Sequence, residues 1–192
     1  MPETVRDLTA TPGQTIGPFF HYALPFDLDR ELVPIGSPGS VRLHGRVYDG
    51  AGQPVPDALL EIRQADGSGD VPRVEGSLRR PGGDFTGWGR SSTDRTGRYW
   101  FSTVEPAPTG EGAAAFFTVT VFARGLLNRL FTRIYLPGDD AVLAADRLLA
   151  GLDDERRHSM VAEREPDGSL RFDVHLQGDR ETVFLRYPGH EG

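Results

Sequence analysis

The chain has 192 residues, of which 38% are apolar and 26% charged, so it is long enough for one domain with a substantial core. Its formal net charge of −7 argues against nucleic-acid and anionic-membrane partners, since both select basic surfaces. The absence of cysteine excludes disulfides and thiolate metal sites. We expect a cytoplasmic protein, because small secreted folds often depend on disulfides, and we expect no signal peptide, because M-P-E-T-V-R-D lacks its apolar segment.

Residues 1–40 are predicted to form an irregular N-terminal arm, rich in proline and glycine. Its most unusual part is T-P-G-Q-T-I-G-P-F-F-H-Y, residues 11–22, in which two prolines fix the backbone and three aromatic residues follow. Disordered tails are usually poor in aromatic residues. From composition alone, both a disordered tail and an ordered arm that packs on this domain or on a partner stay open.

From Val41 the residues alternate between apolar and polar, which predicts a half-buried strand over 41–49. A second strand is predicted over 58–65, after the turn residues D-G-A-G-Q-P-V-P-D. The two strands are therefore predicted to form a hairpin with a longer loop. Residues 66–97 are dense in glycine, proline and charge, which indicates a loop.

Further strands are predicted over 98–104, 115–124 and 129–136, and 115–124 is apolar enough for a central position. Leucines within 140–158 give the only helical signal, typical of one or two short helices. P-D-G-S then predicts a turn between two C-terminal strands. The fold class expected for residues 41–192 is mainly β, an antiparallel β-sandwich with one short helical insert.

The residues alone contain no self-sufficient catalytic motif. None of the five histidines is spaced as His-x-His or His-x-x-x-His, and there is no nucleophile elbow, phosphate loop or dinucleotide fingerprint. Arg124 is of more interest, because it ends an apolar strand in V-F-A-R-G. At the rim of a core its guanidinium can bind an anion bidentately or form a salt bridge to one of the many acids, and both interpretations stay open.

Several blocks of the sequence, in this order, resemble the intradiol ring-cleaving dioxygenases. The blocks are T-P-G-Q-T-I-G-P-F-F-H, H-G-R-V-Y-D-G-A-G-Q-P-V-P-D-A-L-L-E-I-R-Q-A-D-G-S-G, T-D-R-T-G-R-Y-W-F-S-T-V-E-P, V-F-A-R-G-L-L-N-R-L-F-T-R-I-Y-L-P-G-D and F-D-V-H-L-Q-G-D-R-E-T-V-F. The resemblance extends over about residues 8–186 and is to the members built from homologous α and β chains. It implies cleavage of protocatechuate by O2 between its two hydroxyl-bearing carbons, giving 3-carboxy-cis,cis-muconate.

In those enzymes the β chain holds a non-haem ferric ion with two tyrosines and two histidines. The resemblance maps the four ligand positions to Ser77, Thr109, Phe116 and Thr118. Phenylalanine has no donor atom, and a neutral hydroxyl is a poor substitute for a phenolate that stabilises Fe(III). The resemblance therefore implies an α chain that binds no metal itself and joins a homologous β subunit, which holds Fe(III), in an (αβ)n assembly.

The resemblance also implies a role for the arm, which in such α chains packs on the β subunit and walls its substrate pocket. The matching residues are Thr15, Gly17, Pro18, Phe19 and Arg124. A Gly-Pro turn allows close backbone approach, and an aromatic residue beside it can pack on a planar ring. Two alternatives stay open: an independent β-sandwich binding module without enzyme activity, and a self-sufficient single-chain dioxygenase with unrecognised ligands.

Overall fold

A computed structural model describes residues 14–17, 19–73 and 84–187. Strands predominate in these ranges, and the helices are short. The elements in chain order are α1 (Phe20–Ala23), β1 (Ser40–Tyr48), β2 (Leu59–Arg63), β3 (Trp88–Ser92), β4 (Arg98–Val104), β5 (Phe116–Phe122), β6 (Leu130–Tyr135), α2 (Asp140–Ala145), a 3₁₀ turn (Leu149–Gly151), α3 (Asp154–His158), β7 (Glu163–Arg164), β8 (Leu170–Arg171) and β9 (Val174–His175).

The strands form two sheets that pack face to face. Sheet I has the order β4-β1-β8-β7, with β9 also paired to β1, and sheet II has the order β3-β2-β5-β6. Most pairs are antiparallel, but β1 pairs with β8 and β9 in parallel. The prediction of a mainly β fold with two sheets is confirmed, and β5 lies inside its sheet as its apolar sequence predicts.

The core lies between the sheets because alternate residues of each strand point inward. On β1 the residues 41, 43, 45 and 47 are buried, and on β5 the residues 117, 119 and 121 are buried. A second apolar cluster lies on the outer side of sheet II, where Leu143, Leu149 and Met160 from the helical segment pack near Tyr135. No helix within the described ranges has both the length and the apolar character to cross a bilayer.

The predicted hairpin between the first two strands is wrong, because β1 and β2 belong to different sheets. After β1 the chain does reverse, since Asp49 Oδ1 accepts from the backbone N–H groups of Ala51 and Gln53 at 2.9 and 2.8 Å. Pairing ends after the single bridge between Tyr48 and Pro54. Proline has no N–H to donate, so Pro54 and then Pro56 stop the ladder and the chain crosses to sheet II.

Strand β3 lies within residues 66–97, which the sequence predicts to be a loop. Buried and partly exposed residues alternate along β3, but the sequence shows no apolar–polar alternation there because the buried positions carry the small residues Gly89 and Ser91. Gly89 is small for a structural reason, since a Cβ there would lie about 2.3 Å from Leu32 Cδ1 of the arm. The apolar residue that covers β3 therefore comes from a distant part of the chain.

We predict that Gly45→Ala lowers the free energy of unfolding by about 1–3 kcal/mol or more, because a Cβ at Gly45 would overlap the carbonyl oxygen of Phe172. That carbonyl also accepts the hydrogen bond from the buried Tyr99 hydroxyl at 2.5 Å, so it cannot move away at no cost. Urea denaturation measures the change. Gly138→Ala is the matched control, because no atom lies within 4 Å of the added Cβ. Equal stability of the two variants would contradict the prediction.

Candidate functional site

The C-terminal half of the arm packs on the outer face of sheet II. The Phe20 ring lies 5.5 Å from the Phe122 ring of β5, and the Phe26 ring stacks on Trp88 of β3 with 6.2 Å between centroids. Arg90 of β3 donates from Nη1 to the carbonyl oxygen of Leu24 at 3.0 Å. These contacts place the one-turn helix α1 beside the end of β5.

The N-terminal part of the arm contacts the turn that follows β5. The Gly125 N–H donates to Thr15 Oγ1 at 2.7 Å. Gly125 has φ 94°, a left-handed conformation that glycine adopts without strain and that turns the chain sharply after Arg124. The Gly17 carbonyl oxygen accepts from the Phe20 N–H at 3.2 Å, which starts α1. Thr15, Gly17 and Arg124 therefore come together at one end of sheet II.

A groove of about 700 Å³ opens between the arm and this end of the sandwich. We call it the arm groove, and its main lining residues are Phe19, Tyr22, Pro56, Asp57, Arg95 and Arg124. Phe19 and Tyr22 are 73% and 74% exposed, which is unusual for large aromatic residues. The groove thus combines two exposed rings with charged side chains.

Arg124 forms a salt bridge at the rim of the arm groove. Its Nε lies 3.1 Å from Asp57 Oδ2, and the arginine side chain is 59% exposed whereas that of Asp57 is 14% exposed. Within the described part of the chain, no hydrogen bond occupies the two terminal nitrogens of the guanidinium. Asp57 therefore holds one edge of Arg124 and leaves the other edge accessible to an anion.

The structure brings together most of the residues assigned to a pocket wall. Phe19 and Arg124 line the same groove, while Thr15 and Gly17 lie on the segment that leads into it. Pro18 lies outside the described residues.

The predicted degenerate ligand positions are spread over three segments of the chain. Ser77 lies outside the described residues, and Thr109 is exposed in the loop after β4. Phe116 and Thr118 are on the outward face of β5, two residues apart. Their neighbours across the ladder on β6 are Tyr135 and Arg133.

The residues around Phe116 do not fit a ferric ion. The Arg133 guanidinium lies 4.0 Å from the Phe116 ring centroid and donates to the Tyr135 hydroxyl at 3.1 Å. Burial raises the pKa of Tyr135 to about 12, so the phenol stays neutral and donates to the buried Asp146 at 3.0 Å. A phenyl ring and a neutral hydroxyl at Thr118 provide no anionic donor, and the Arg133 guanidinium would repel a metal cation.

Three histidines whose side chains the structure describes are used in separate local contacts. His44 Nε2 lies 3.0 Å from Glu165 Oε2, His158 Nδ1 lies 2.6 Å from a backbone carbonyl oxygen, and the His175 ring stacks on Tyr48. Burial lowers the pKa of His175. Among the described residues, no three His, Cys, Asp or Glu side chains are grouped so that they could hold a metal ion.

Sequence reasoning missed Asp57, Tyr22 and Arg95 as parts of the arm groove. Asp57 ends the D-G-A-G-Q-P-V-P-D segment, where it is indistinguishable from an ordinary turn residue. Its pairing with Arg124 depends on the crossing between the sheets, which the hairpin prediction did not include.

Comparison with known proteins identifies the class. Residues 16–178 match the model of the dioxygenase family, so the chain belongs to this family. The fold is also similar to the dioxygenase domain of a dioxygenase–carbohydrate-binding fusion protein from Streptomyces sp. SirexAA-E, with a TM-score of 0.61 and 25% identity. That match covers 88% of this chain and 99% of the other. The predicted enzyme class, an intradiol ring-cleaving dioxygenase, is confirmed.

The relatives narrow the assignment within the family. The chain is 39% identical to the protocatechuate 3,4-dioxygenase alpha chain of Burkholderia cepacia, over 93% of this chain and 98% of that relative. It is 31% identical to the beta chain from the same organism, over 96% of this chain and 83% of that relative. The chain thus has relatives of both subunit types.

We predict that Thr15→Val weakens the attachment of the arm and speeds hydrogen exchange of the Gly125 amide. Loss of one hydrogen bond costs about 0.5–1.5 kcal/mol of local stability, which corresponds to roughly 2- to 10-fold faster exchange. Thr15→Ser keeps the hydroxyl and is the control, with exchange close to that of the unmodified chain. Equal exchange rates in all three proteins would show that the Thr15 contact does not hold the arm.

Proposed function

We propose that this chain is the alpha-type subunit of a protocatechuate 3,4-dioxygenase. The observation that carries the proposal is the difference between 39% identity to the alpha chain and 31% to the beta chain of one organism. Under this proposal the chain works in an assembly with a homologous beta-type subunit. The beta-type subunit holds Fe(III), which activates the bound protocatechuate toward O2 so that the ring opens to 3-carboxy-cis,cis-muconate.

The chemistry of the outward face of β5 supports a role without a metal in this chain. Phe116 and Thr118 offer no anionic donor, and the Arg133 guanidinium lies against Phe116. Arg133 in turn is held by the neutral Tyr135 phenol. Among the described residues the buried Arg133 Nε has no hydrogen-bond partner, and the contacts of the guanidinium with Tyr135 and Phe116 are structural, so no step of the reaction is assigned to the cluster.

The arm groove supports a role in walling a partner's pocket. Exposed aromatic groups grouped beside polar ones are typical of interaction surfaces. Phe19 and Tyr22 supply flat apolar surface, and the accessible edge of Arg124 supplies a positive charge. We assign this wall to Thr15, Gly17, Pro18, Phe19 and Arg124. In this assignment Arg124 compensates the anionic charge of the substrate carboxylate or of carboxylates in the pocket, and Phe19 excludes water from the ring.

The arm groove also supports a separate role for the arm and for the sandwich domain. Residues 41–192 form the sandwich domain in this proposal, and residues 1–40 form the arm that packs on the partner subunit. The arm has two sides available for these contacts. Its inner side uses Phe20 and Phe26 to pack on this chain's own sheet II, and its outer side exposes Phe19 and Tyr22.

We predict that the chain purified alone is colourless, free of iron and inactive. Co-expression with the homologous beta-type chain should give a red-brown complex, because a tyrosinate–Fe(III) centre absorbs visible light. The complex should consume O2 when protocatechuate is added. The measurements are iron content, visible absorption, O2 uptake and size-exclusion chromatography.

Other outcomes of this experiment separate the alternatives. Iron binding and ring cleavage by the lone chain would establish a self-sufficient dioxygenase and overturn the assignment of the metal to the partner. A stable lone chain that associates with no beta-type chain and supports no turnover would favour an independent binding module.

We predict that Arg124→Gln in the assembled enzyme lowers kcat/KM for protocatechuate roughly tenfold, since a charge-assisted hydrogen bond to a carboxylate contributes about 1.5–3 kcal/mol and Arg124 is partly solvated. Catechol, which lacks the carboxylate, serves as the control substrate, and its kcat/KM should change little. Equal losses for the two substrates would mean that Arg124 supports the assembly instead of recognising the substrate carboxylate.

A further inference from the structure

The outer face of sheet I carries a second groove, with a volume of about 720 Å³. We call it the arginine groove and define it by Arg30, Arg42, Arg46, Arg98, Trp100 and Arg171. The residues come from the arm, β1, β4 and β8. The carboxylates of Asp94, Glu165, Asp167 and Asp173 also line this groove. Of its five arginines, Arg171 pairs with Glu163 at 2.6 Å and Arg30 Nε lies 3.8 Å from Asp29 Oδ1, whereas Arg42, Arg46 and Arg98 form no salt bridge within the described ranges.

Two of these arginines face each other across the ladder. Arg46 of β1 is directly opposite Arg98 of β4, and both side chains lie on the outward face. Like charges directly opposite each other destabilise a sheet. In the described part of the chain, neither guanidinium lies within 4 Å of a carboxylate. The fold therefore holds two cations together without a salt bridge to either one, and Asp94 offsets the charge of Arg98 only from beyond 4 Å.

The carboxylates that line the groove are directed to other donors. Asp173 Oδ1 accepts from the backbone N–H of Arg46 at 2.9 Å, and Asp94 Oδ1 accepts from the backbone N–H of Arg98 at 3.1 Å. Glu165 accepts from the Ser169 hydroxyl at 3.1 Å. These acids fix the backbone and the turns around the groove instead of pairing with the guanidinium groups of Arg46 and Arg98.

The next outward position on β4 is Trp100, which holds two further guanidinium groups. The Cζ atoms of Arg30 and Arg42 lie 4.8 and 5.8 Å from the Trp100 ring centroid. The N–H groups of a guanidinium point outward in the plane of the guanidinium. When the guanidinium lies over an aromatic ring, these N–H groups can still donate to an oxyanion. Because outward neighbours on a strand are about 7 Å apart, the groove offers two separate cationic positions.

We propose that the arginine groove binds a small anion with two or more carboxylate groups. One carboxylate lies between Arg46 and Arg98, where it relieves their repulsion and accepts hydrogen bonds from both. A second is bound by Arg30 and Arg42 beside Trp100, with the flat body of the ligand against the indole ring. This proposal does not depend on the proposed function, since it uses neither the arm groove nor a metal.

The test is calorimetric titration of benzene-1,3,5-tricarboxylate into the full chain, in the assembly in which it purifies, at low ionic strength. The expected result is saturable binding that Arg46→Gln and Arg98→Gln each weaken by about tenfold or more. Arg147→Gln is the matched control, because it removes the same charge from an exposed position outside the groove. Benzoate, with one carboxylate, should bind far more weakly than the tricarboxylate.

The midpoint of thermal unfolding without ligand is a second measurement. The proposal and a purely structural role of the arginine pair predict opposite changes of this midpoint in Arg46→Gln. Arg46→Gln should raise the midpoint at low salt, because it removes the repulsion from Arg98, and added salt should close the difference. A lower midpoint would mean that the arginine pair stabilises the fold and would overturn the proposal. The proposal is also overturned if the tricarboxylate does not bind, or if Arg147→Gln weakens its binding equally. Loss of subunit association in Arg46→Gln without tricarboxylate binding would instead assign the face to a protein contact.

Discussion

The half-buried ion pair between Arg90 and Glu61 joins the arm to the sandwich. Arg90 Nε and Nη2 both donate to Glu61 Oε1, at 3.0 and 2.6 Å, while Nη1 binds the Leu24 carbonyl oxygen. The Arg90 backbone N–H donates to the Asp29 carbonyl oxygen at 2.8 Å, and the guanidinium lies 5.1 Å from the Trp88 ring. Arg90 therefore connects two strands of sheet II with two points of the arm, through its side chain at Leu24 and its backbone at Asp29, and the position of α1 follows from it.

The arm groove depends on this attachment because its lining comes from three separate segments. The arm provides Phe19 and Tyr22, the crossing between the sheets provides Asp57, and the end of β5 provides Arg124. The sandwich thus acts as a rigid support that sets the distance between an aromatic surface and a cation, which is a common way for a conserved architecture to acquire a specific site.

Strands β1, β4, β5 and β6 were predictable from apolar residues that alternate with polar ones or form a continuous run, but the pairing of the strands was not. The crossing after β1 depends on Pro54 and Pro56, whose missing donors matter only once a partner strand is in place. Strand β3 was not predicted because its inward residues are small instead of apolar and large. Their small size leaves room for the side chain of Leu32. Arg124 was predictable from its position at the end of an apolar strand. Its partner Asp57 was not, since their contact exists only in the assembled sandwich.

The parallel pairing of β1 with β8 and β9 also sets an order for folding during synthesis. All four strands of sheet II lie before residue 136, so they can pair while the C-terminal segment is still missing. Apart from the bridge between Tyr48 and Pro54, β4 is the neighbour of β1 among the described residues until residues 170–175 emerge, and such late non-local pairing is slow. Until then the edge of β1 that later binds β8 exposes unpaired backbone groups. A nascent or C-terminally shortened chain would present that edge for aggregation.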